Sequence, residues 1–156
     1  MSLRDNLLIG VPDRQGGIDE RKALSDADID LDSRVFPDGV ETVLSREFGG
    51  TDISGGQWQH VAIARAMARG GELTVLDEPT SAMDPMTEQR LYESFLHMTD
   101  GIGVIVTHRL GLARKCPQIA VMENGRIAAV GSHEELLESC EYYREMWGSQ
   151  AQGYTS

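Results

Sequence analysis

Two short apolar runs, Leu73-Thr74-Val75-Leu76 and Gly103-Val104-Ile105-Val106-Thr107, stand on either side of a segment that carries its own helix signals. The first run is bounded by Gly70-Gly71 and by Asp77-Glu78-Pro79, and its short, β-prone character predicts a buried strand. In the intervening segment Asp84 precedes Pro85, an N-cap followed by a first-turn proline, and Leu91, Phe95 and Met98 recur at i, i+4 and i+7. Asp100-Gly101 closes that helix. A strand, helix and strand at this spacing form a βαβ unit, whose two strands run parallel with a right-handed crossover. Parallel strands share a C-terminal edge, so Asp77, Glu78 and His108 are predicted to emerge on the edge where open α/β sheets bind ligands.

The run SGGQWQHVAIARAMARGG, residues 54–71, predicts a helix immediately before that unit. Ser54 and Gln57 fit a capping box, Arg65 and Arg69 fall where cations complement the helix dipole, and Gly70-Gly71 stops it. Ser54, Gly55 and Gly56 present backbone N–H groups and a hydroxyl at a positive helix end, with no bulky side chain to keep a phosphate away. Taken alone, these residues read as an ordinary helix cap. Asp77-Glu78-Pro79 alone reads as a turn, and His108 alone as a structural residue. As chemistry, two carboxylates at a strand tip suit a hard cation and a general base. Asp84 has a complete explanation as a cap.

Elsewhere the pattern is weaker. Residues 1–53 show turn signals at Gly10-Val11-Pro12-Asp13, Gln15-Gly16-Gly17 and Phe36-Pro37-Asp38-Gly39, with a short polar helix predicted over Asp19–Ala27. These residues are expected to form helices and loops that cap another layer. Asn124-Gly125, between Ile119–Met122 and Arg126–Val130, predicts a hairpin. A second capping box, Ser132 with Glu135, opens an apolar stripe of Leu136, Cys140, Tyr143 and Trp147, and the tail after Gly148 is expected to fray. His60, His97 and His133 have no carboxylate or histidine partner at ligand spacing and are assigned to the surface.

Net charge of -11 over 156 residues disfavours a phosphate backbone as a partner of the surface as a whole, so no nucleic-acid partner is expected, while a local anion site stays open. The longest apolar stretch, Gly101 to Val106, is far shorter than the ~20 residues of a membrane span. Cys116 and Cys140 form no metal-ligand spacing and are too few for a disulfide scaffold.

The sequence ISGGQWQHVAIARAMARGGELTVLDEPTSAMDP followed by VIVTHR resembles the second half of the ATPase domain of ATP-binding cassette (ABC) transporters. The signature, Walker B, D-loop and switch histidine occur in that family's order and spacing. ENGRIAAVGSHEELL is similar to its C-terminal hairpin and helix, SLRDNLLIG to the segment after its Q-loop, and FPDGVETVLSREFGG to the helical subdomain of exporters. In most family members Arg or Lys stands where this chain has His60.

The resemblance implies an α/β fold: part of a P-loop NTPase (RecA-like) core with a mostly parallel sheet, plus the ABC helical subdomain. It divides the chain into a helical subdomain ending in the signature helix (1–71), the C-terminal part of the ATPase core (72–148) and a flexible tail (149–156). By the same resemblance Asp77 holds Mg²⁺ through water, Glu78 orients the attacking water and His108 senses the γ-phosphate. Ser54, Gly55, Gly56 and Gln57 close on ATP held by another subunit, and Asp84 lies in the D-loop that crosses the dimer interface. A phosphate-cradling G-x-x-x-x-G-K-[ST] is missing: the two lysines, Lys22 and Lys115, follow arginines and cannot serve.

The chain therefore reads as a truncated cassette, without P-loop strand and helix. The expected role is a C-terminal fragment of an exporter ATPase, inactive in isolation. It would lie at the cytoplasmic face of the membrane, pairing head-to-tail with a second nucleotide-binding domain and with transmembrane domains. The isolated chain is expected to self-associate. The alternative is a non-hydrolysing partial cassette that completes a partner's ATP site through its signature. A cassette ATPase of DNA repair is disfavoured, because residues 20–50 carry no heptads.

Overall fold

A computed structural model describes residues 1–11, 19–80, 83–98 and 101–153. The chain divides into two compact units, Met1–Val106 and Thr107–Ser156.

The first unit contains α1 (Leu3–Leu8), α2 (Glu20–Asp26), α3 (Gly55–Arg69), β1 (Leu73–Asp77), α4 (Pro85–Met98) and β2 (Ile102–Val106). Ser2 starts α1 through a reciprocal box with Asp5, and the Asp19 carboxylate accepts from the Lys22 N–H at 2.9 Å to start α2. Helix α2 falls inside the predicted 19–27 segment, and Ala23, Leu24 and Ala27 turn to the buried side as expected. Leu3 and Leu7 of α1, Leu24 of α2, Val61 and Ala64 of α3 and Leu91 of α4 belong to one apolar core. Each fully buried leucine there contributes on the order of 1.5–3 kcal/mol relative to exposure.

Polar contacts fix how α1 and α3 meet. Arg65 Nε donates to the Asn6 carbonyl at 2.7 Å, and its Nη2 reaches Asn6 Oδ1 at 3.3 Å. The loop before α3 crosses Val43 closely. The Thr51 N–H donates to the Val43 carbonyl at 2.8 Å, and a Cβ at Gly50 would collide with that same oxygen. Only glycine allows the approach.

Strands β1 and β2 pair in parallel, from Leu73 opposite Ile102 to Asp77 opposite Val106, which is the predicted βαβ arrangement. The burial expected of the first strand is corrected. Of the β1 residues only Leu76 is buried, whereas Leu73 is 59%, Val75 55%, Ile102 66%, Val104 41% and Val106 49% exposed. In a parallel ladder, side chains of paired residues share a face. Leu73, Val75, Ile102, Val104 and Val106 therefore crowd one bare apolar face, while Leu76 and the half-buried Ile105 occupy the other. A two-stranded sheet with one face covered cannot bury a continuous apolar run on both sides.

The second unit contains α5 (Leu110–Ala113), β3 (Ile119–Glu123), β4 (Arg126–Gly131), α6 (His133–Ser139) and α7 (Glu141–Gly153). Strands β3 and β4 form the expected antiparallel hairpin, turned by Asn124 and Gly125 with φ of 50° and 74°, the positive values a two-residue type I′ turn requires. Leu110, Val121, Leu136 and Tyr143 form its core, with Cys140 and Trp147 packed against them, so the predicted stripe is real. It spans two helices rather than one. Cys140 adopts an extended conformation, φ -118° and ψ 105°, and separates α6 from α7. Helix α7 continues past Gly148.

The histidine assignments need correction at two positions. His60 Nδ1 lies 2.6 Å from the Ala27 carbonyl, and His133 Nδ1 lies 2.9 Å from the Tyr143 hydroxyl with its ring against Trp147. Both rings are half-buried. The side chain of His97 and that of Met98 lie outside the described residues.

Among the described residues the architecture is a mixed α/β core with one parallel strand pair, one antiparallel hairpin and a helical subdomain. No P-loop motif occurs in the 156 residues.

Candidate functional site

Helix α3 begins as its sequence dictates. The Gln57 N–H donates to Ser54 Oγ at 3.2 Å, and the Ser54 N–H donates to Gln57 Oε1 at 2.7 Å. This reciprocal cap uses Ser54 Oγ as an acceptor and leaves the hydroxyl proton out of that bond. The first N–H groups of any α-helix have no intrahelical carbonyl. Gly55 has nothing within 4 Å of where a Cβ would stand, and Gly56 meets only Ser54 Oγ at 3.9 Å. The helix end is thus a pre-shaped, open concentration of donors suited to an anion.

Asp77 ends β1 as an exposed residue, opposite Val106 in the ladder. Glu78 follows with φ of 44°, a left-handed backbone that a residue with a side chain adopts only when its surroundings enforce it. Two hydrogen bonds supply the enforcement. The Glu78 N–H donates to the Val106 carbonyl at 2.9 Å, and Gln59 Nε2 of α3 donates to the Glu78 carbonyl at 3.2 Å. Glu78 is half-buried and its Oε2 is out of reach of solvent. The two adjacent carboxylates therefore stand in different surroundings, Asp77 in water and Glu78 partly withdrawn.

The segment after Glu78 is anchored from inside. Thr80 Oγ1 donates to Glu88 Oε1 at 2.6 Å, and both residues are buried. Asp84 is exposed and Asp84 Oδ1 accepts from the N–H groups of Met86 and Thr87 at 3.0 and 3.1 Å, so its predicted capping role is observed. The Thr87 side chain, then its backbone N–H, holds the Asp84 carboxyl below the usual carboxylate range.

His108, in the second unit, is exposed. The backbone around it is clamped by one side chain of α7: Gln150 Nε2 donates to the His108 carbonyl, and the Leu110 N–H donates to Gln150 Oε1 at 2.9 Å. The Arg109 N–H also donates to Thr107 Oγ1 at 3.0 Å.

The structure thus joins Ser54 with Gln57, and Asp77 and Glu78 with the end of β2, and links the α3 start to Glu78 through Gln59. Sequence reasoning missed Gln59 and Gln150, which hold the backbone of Glu78 and of His108, and the buried Thr80–Glu88 pair between Glu78 and α4. Only Thr80 and Glu88 left a signal, a polar pair flanking the Asp84-Pro85 cap at close spacing.

Chemically, Asp77 is a hard oxygen donor at a strand tip, fit to be one partner of a divalent cation and not a cage. No group of three or more metal-ligating side chains occurs among the described residues.

A family model described as ABC transporter matches residues 8–81. The subtilin transport ATP-binding protein of Bacillus subtilis is 45% identical over 62% of this chain and 16% of its own length. The nisin transport ATP-binding protein of Lactococcus lactis is 33% identical over 96% of this chain and 26% of its own length. The chain spans about a quarter or less of these curated relatives. Among solved structures, a bacterial Atm1-family ABC exporter with ATP bound superposes with a TM-score of 0.76 at 29% identity, covering 96% of this chain and 26% of that one. The chain belongs to the ABC transporter family, as part of its ATP-binding domain without the P-loop region.

Proposed function

We propose that these residues form the signature and Walker B portion of an exporter ATPase, in which Glu78 acts on the attacking water and the start of α3 closes on a nucleotide held by a second cassette. The observation that carries this reading is the backbone of Glu78. A strained carboxylate-bearing residue, held by β2 on one side and by the signature helix on the other, is what positioning a general base requires.

In this reading ATP with Mg²⁺ supplies the transferable phosphoryl group and the charge neutralisation. Asp77, exposed at the tip of β1, holds the cation through water. Glu78, partly withdrawn from solvent, orients and polarises the attacking water. His108 senses the γ-phosphate. Ser54, Gly55, Gly56 and Gln57 offer backbone and hydroxyl donors to the nucleotide of the opposite subunit, and Asp84 contributes to the interface between the subunits.

Residues 1–71 serve as the helical subdomain and 72–148 as the C-terminal part of the core. Transmembrane domains complete the transporter, at the cytoplasmic face of the membrane. No helix among the described residues is itself long and apolar enough to cross a membrane. The bare face of β1 and β2 is where further elements of a complete cassette pack.

The non-hydrolysing reading, in which the chain only lends its signature to a partner, is favoured by one fact, the lack of a P-loop motif within the 156 residues. Titrating Mg²⁺-ATP calorimetrically into the 156-residue chain and into a cassette completed with the P-loop half of a relative tests the reading. Saturable binding by the completed cassette alone supports it. Equal binding by both overturns it.

A further inference from the structure

We propose that Gln59 is a positioning residue for Glu78, tying the signature helix to the hydrolytic carboxylate of the same chain and thereby linking the two ATP sites of a head-to-tail pair. The inference rests on the proposed function above and deepens it. Gln59 lies two residues beyond Gln57 on α3, and its Nε2 donates to the Glu78 carbonyl at 3.2 Å. The Glu78 N–H donates to the Val106 carbonyl at 2.9 Å. Between these two bonds sits a residue with φ of 44°, outside the range that L-residues favour.

A left-handed non-glycine residue persists only when its neighbours over-determine it. Removing the Gln59 bond removes one restraint on that backbone, which gains freedom to relax toward negative φ. That rotation swings the Cα–Cβ direction and hence the aim of the carboxylate. A positional error of about 1 Å is enough to cost on the order of 10²-fold in rate. Gln59 makes no contact with reacting atoms in this account. It acts through the peptide of Glu78.

The link also has a direction. In a head-to-tail pair, the start of α3 faces the partner's nucleotide, whereas Glu78 serves the nucleotide of its own chain. Gln59 is held on the same rigid helix as Ser54 and Gln57, whose cap fixes that helix end. A shift of α3 on closing over the partner's nucleotide therefore pulls on the carbonyl of Glu78. Thr80, buried and bonded to Glu88, fixes the other end of the segment and leaves Glu78 as the place where the pull is felt.

The test uses paired completed cassettes in which one P-loop is inactivated, so that a single site turns over. Gln59→Leu is placed either in the chain that supplies Glu78 to that site or in the chain that supplies the signature. The expected result is a fall in kcat of about tenfold or more, with KM for ATP changed less than about twofold, only when Gln59→Leu is in the Glu78 chain. An effect confined to the signature chain, or no effect in either, overturns the proposal. Glu78→Gln and Ser54→Ala serve as controls in the same arrangement. If Glu78→Gln does not act in one chain and Ser54→Ala in the other, the composite-site reading fails, which is a separate outcome.

A second measurement needs only the 156-residue chain. Amide exchange at Glu78 should quicken about fivefold in Gln59→Leu, as expected for losing one hydrogen bond, while exchange at Val75 and Val104 is unchanged. Unchanged exchange at Glu78 overturns the proposal whether or not the completed cassette can be made.

Discussion

The Thr80 hydroxyl donates to Glu88 Oε1 at 2.6 Å, with the two residues 1% and 6% exposed, and this single buried bond spans the segment that carries Asp84. Buried polar pairs of this kind are costly to break, because the surviving group keeps its desolvation penalty. Thr80→Val removes the hydroxyl and keeps the shape. It is expected to destabilise the chain by about 1–3 kcal/mol, read as a lower urea midpoint at unchanged slope. Thr80→Ser, which retains the donor, should recover a large part of that loss. Equal midpoints for Val and Ser variants would contradict the role given to the bond.

The cap at Ser54 predicts a graded series. Ser54→Ala should cost about 1 kcal/mol and Ser54→Gly only a few tenths, since glycine tolerates the N-cap backbone and alanine leaves the first turn uncapped. Thermal unfolding followed by circular dichroism reads both. The same stability for alanine and serine would mean that the Ser54–Gln57 box seen at the start of α3 carries no weight in solution.

These caps were legible before the fold because they are local. A Ser or Asp three residues before its partner announces itself, and so do Asp84-Pro85 and Asn124-Gly125. The βαβ unit followed from the same kind of signal. What stayed hidden depends on chain segments that meet only after folding. Gln59 and Glu78 are 19 residues apart, Gln150 and Leu110 are 40 apart, and nothing in the composition of either pair marks the contact. The apolar run Leu73–Leu76 reads as a buried strand, yet which of its faces a second layer covers is a tertiary fact. Cys140 breaks the last helix without a Gly or Pro to mark the break, and His60 finds the Ala27 carbonyl only through packing of α3 against α2.

Three capping carboxylates predict acid sensitivity. The Asp5 carboxyl is held low by the Ser2 backbone N–H and then its hydroxyl, and Glu135 is held low by Ser132 in the same way. Asp84 is held low by the Thr87 side chain and then its backbone N–H. Folded values thus lie below the unfolded ones, near 3.9–4.3. The stabilisation is present in full above that range and is lost as pH falls through the lower folded values. Urea midpoints should stay level from about pH 7 to 5 and drop below about pH 4. The drop should be shallower in Asp5→Asn/Asp84→Asn/Glu135→Gln. An acid limb of equal steepness in that variant would contradict the assignment.

The bare apolar face of the parallel pair predicts self-association. Val75 and Val104 are paired and both exposed. A contiguous apolar patch on a strand pair is a surface that seeks cover. Sedimentation velocity should show concentration-dependent species for the 156-residue chain, and Val75→Thr/Val104→Thr should move them toward monomer. A monodisperse monomer at every concentration would contradict this.

The most direct test of the central claim is a coupled ATPase assay on three samples: the 156-residue chain, the cassette completed with a P-loop half, and the completed cassette carrying Glu78→Gln. The account predicts no turnover by the chain alone, magnesium-dependent turnover by the completed cassette, and a loss of about 10²-fold or more in kcat with Glu78→Gln while ATP binding persists. Magnesium-dependent turnover by the purified 156-residue chain, abolished by Glu78→Gln, would contradict it.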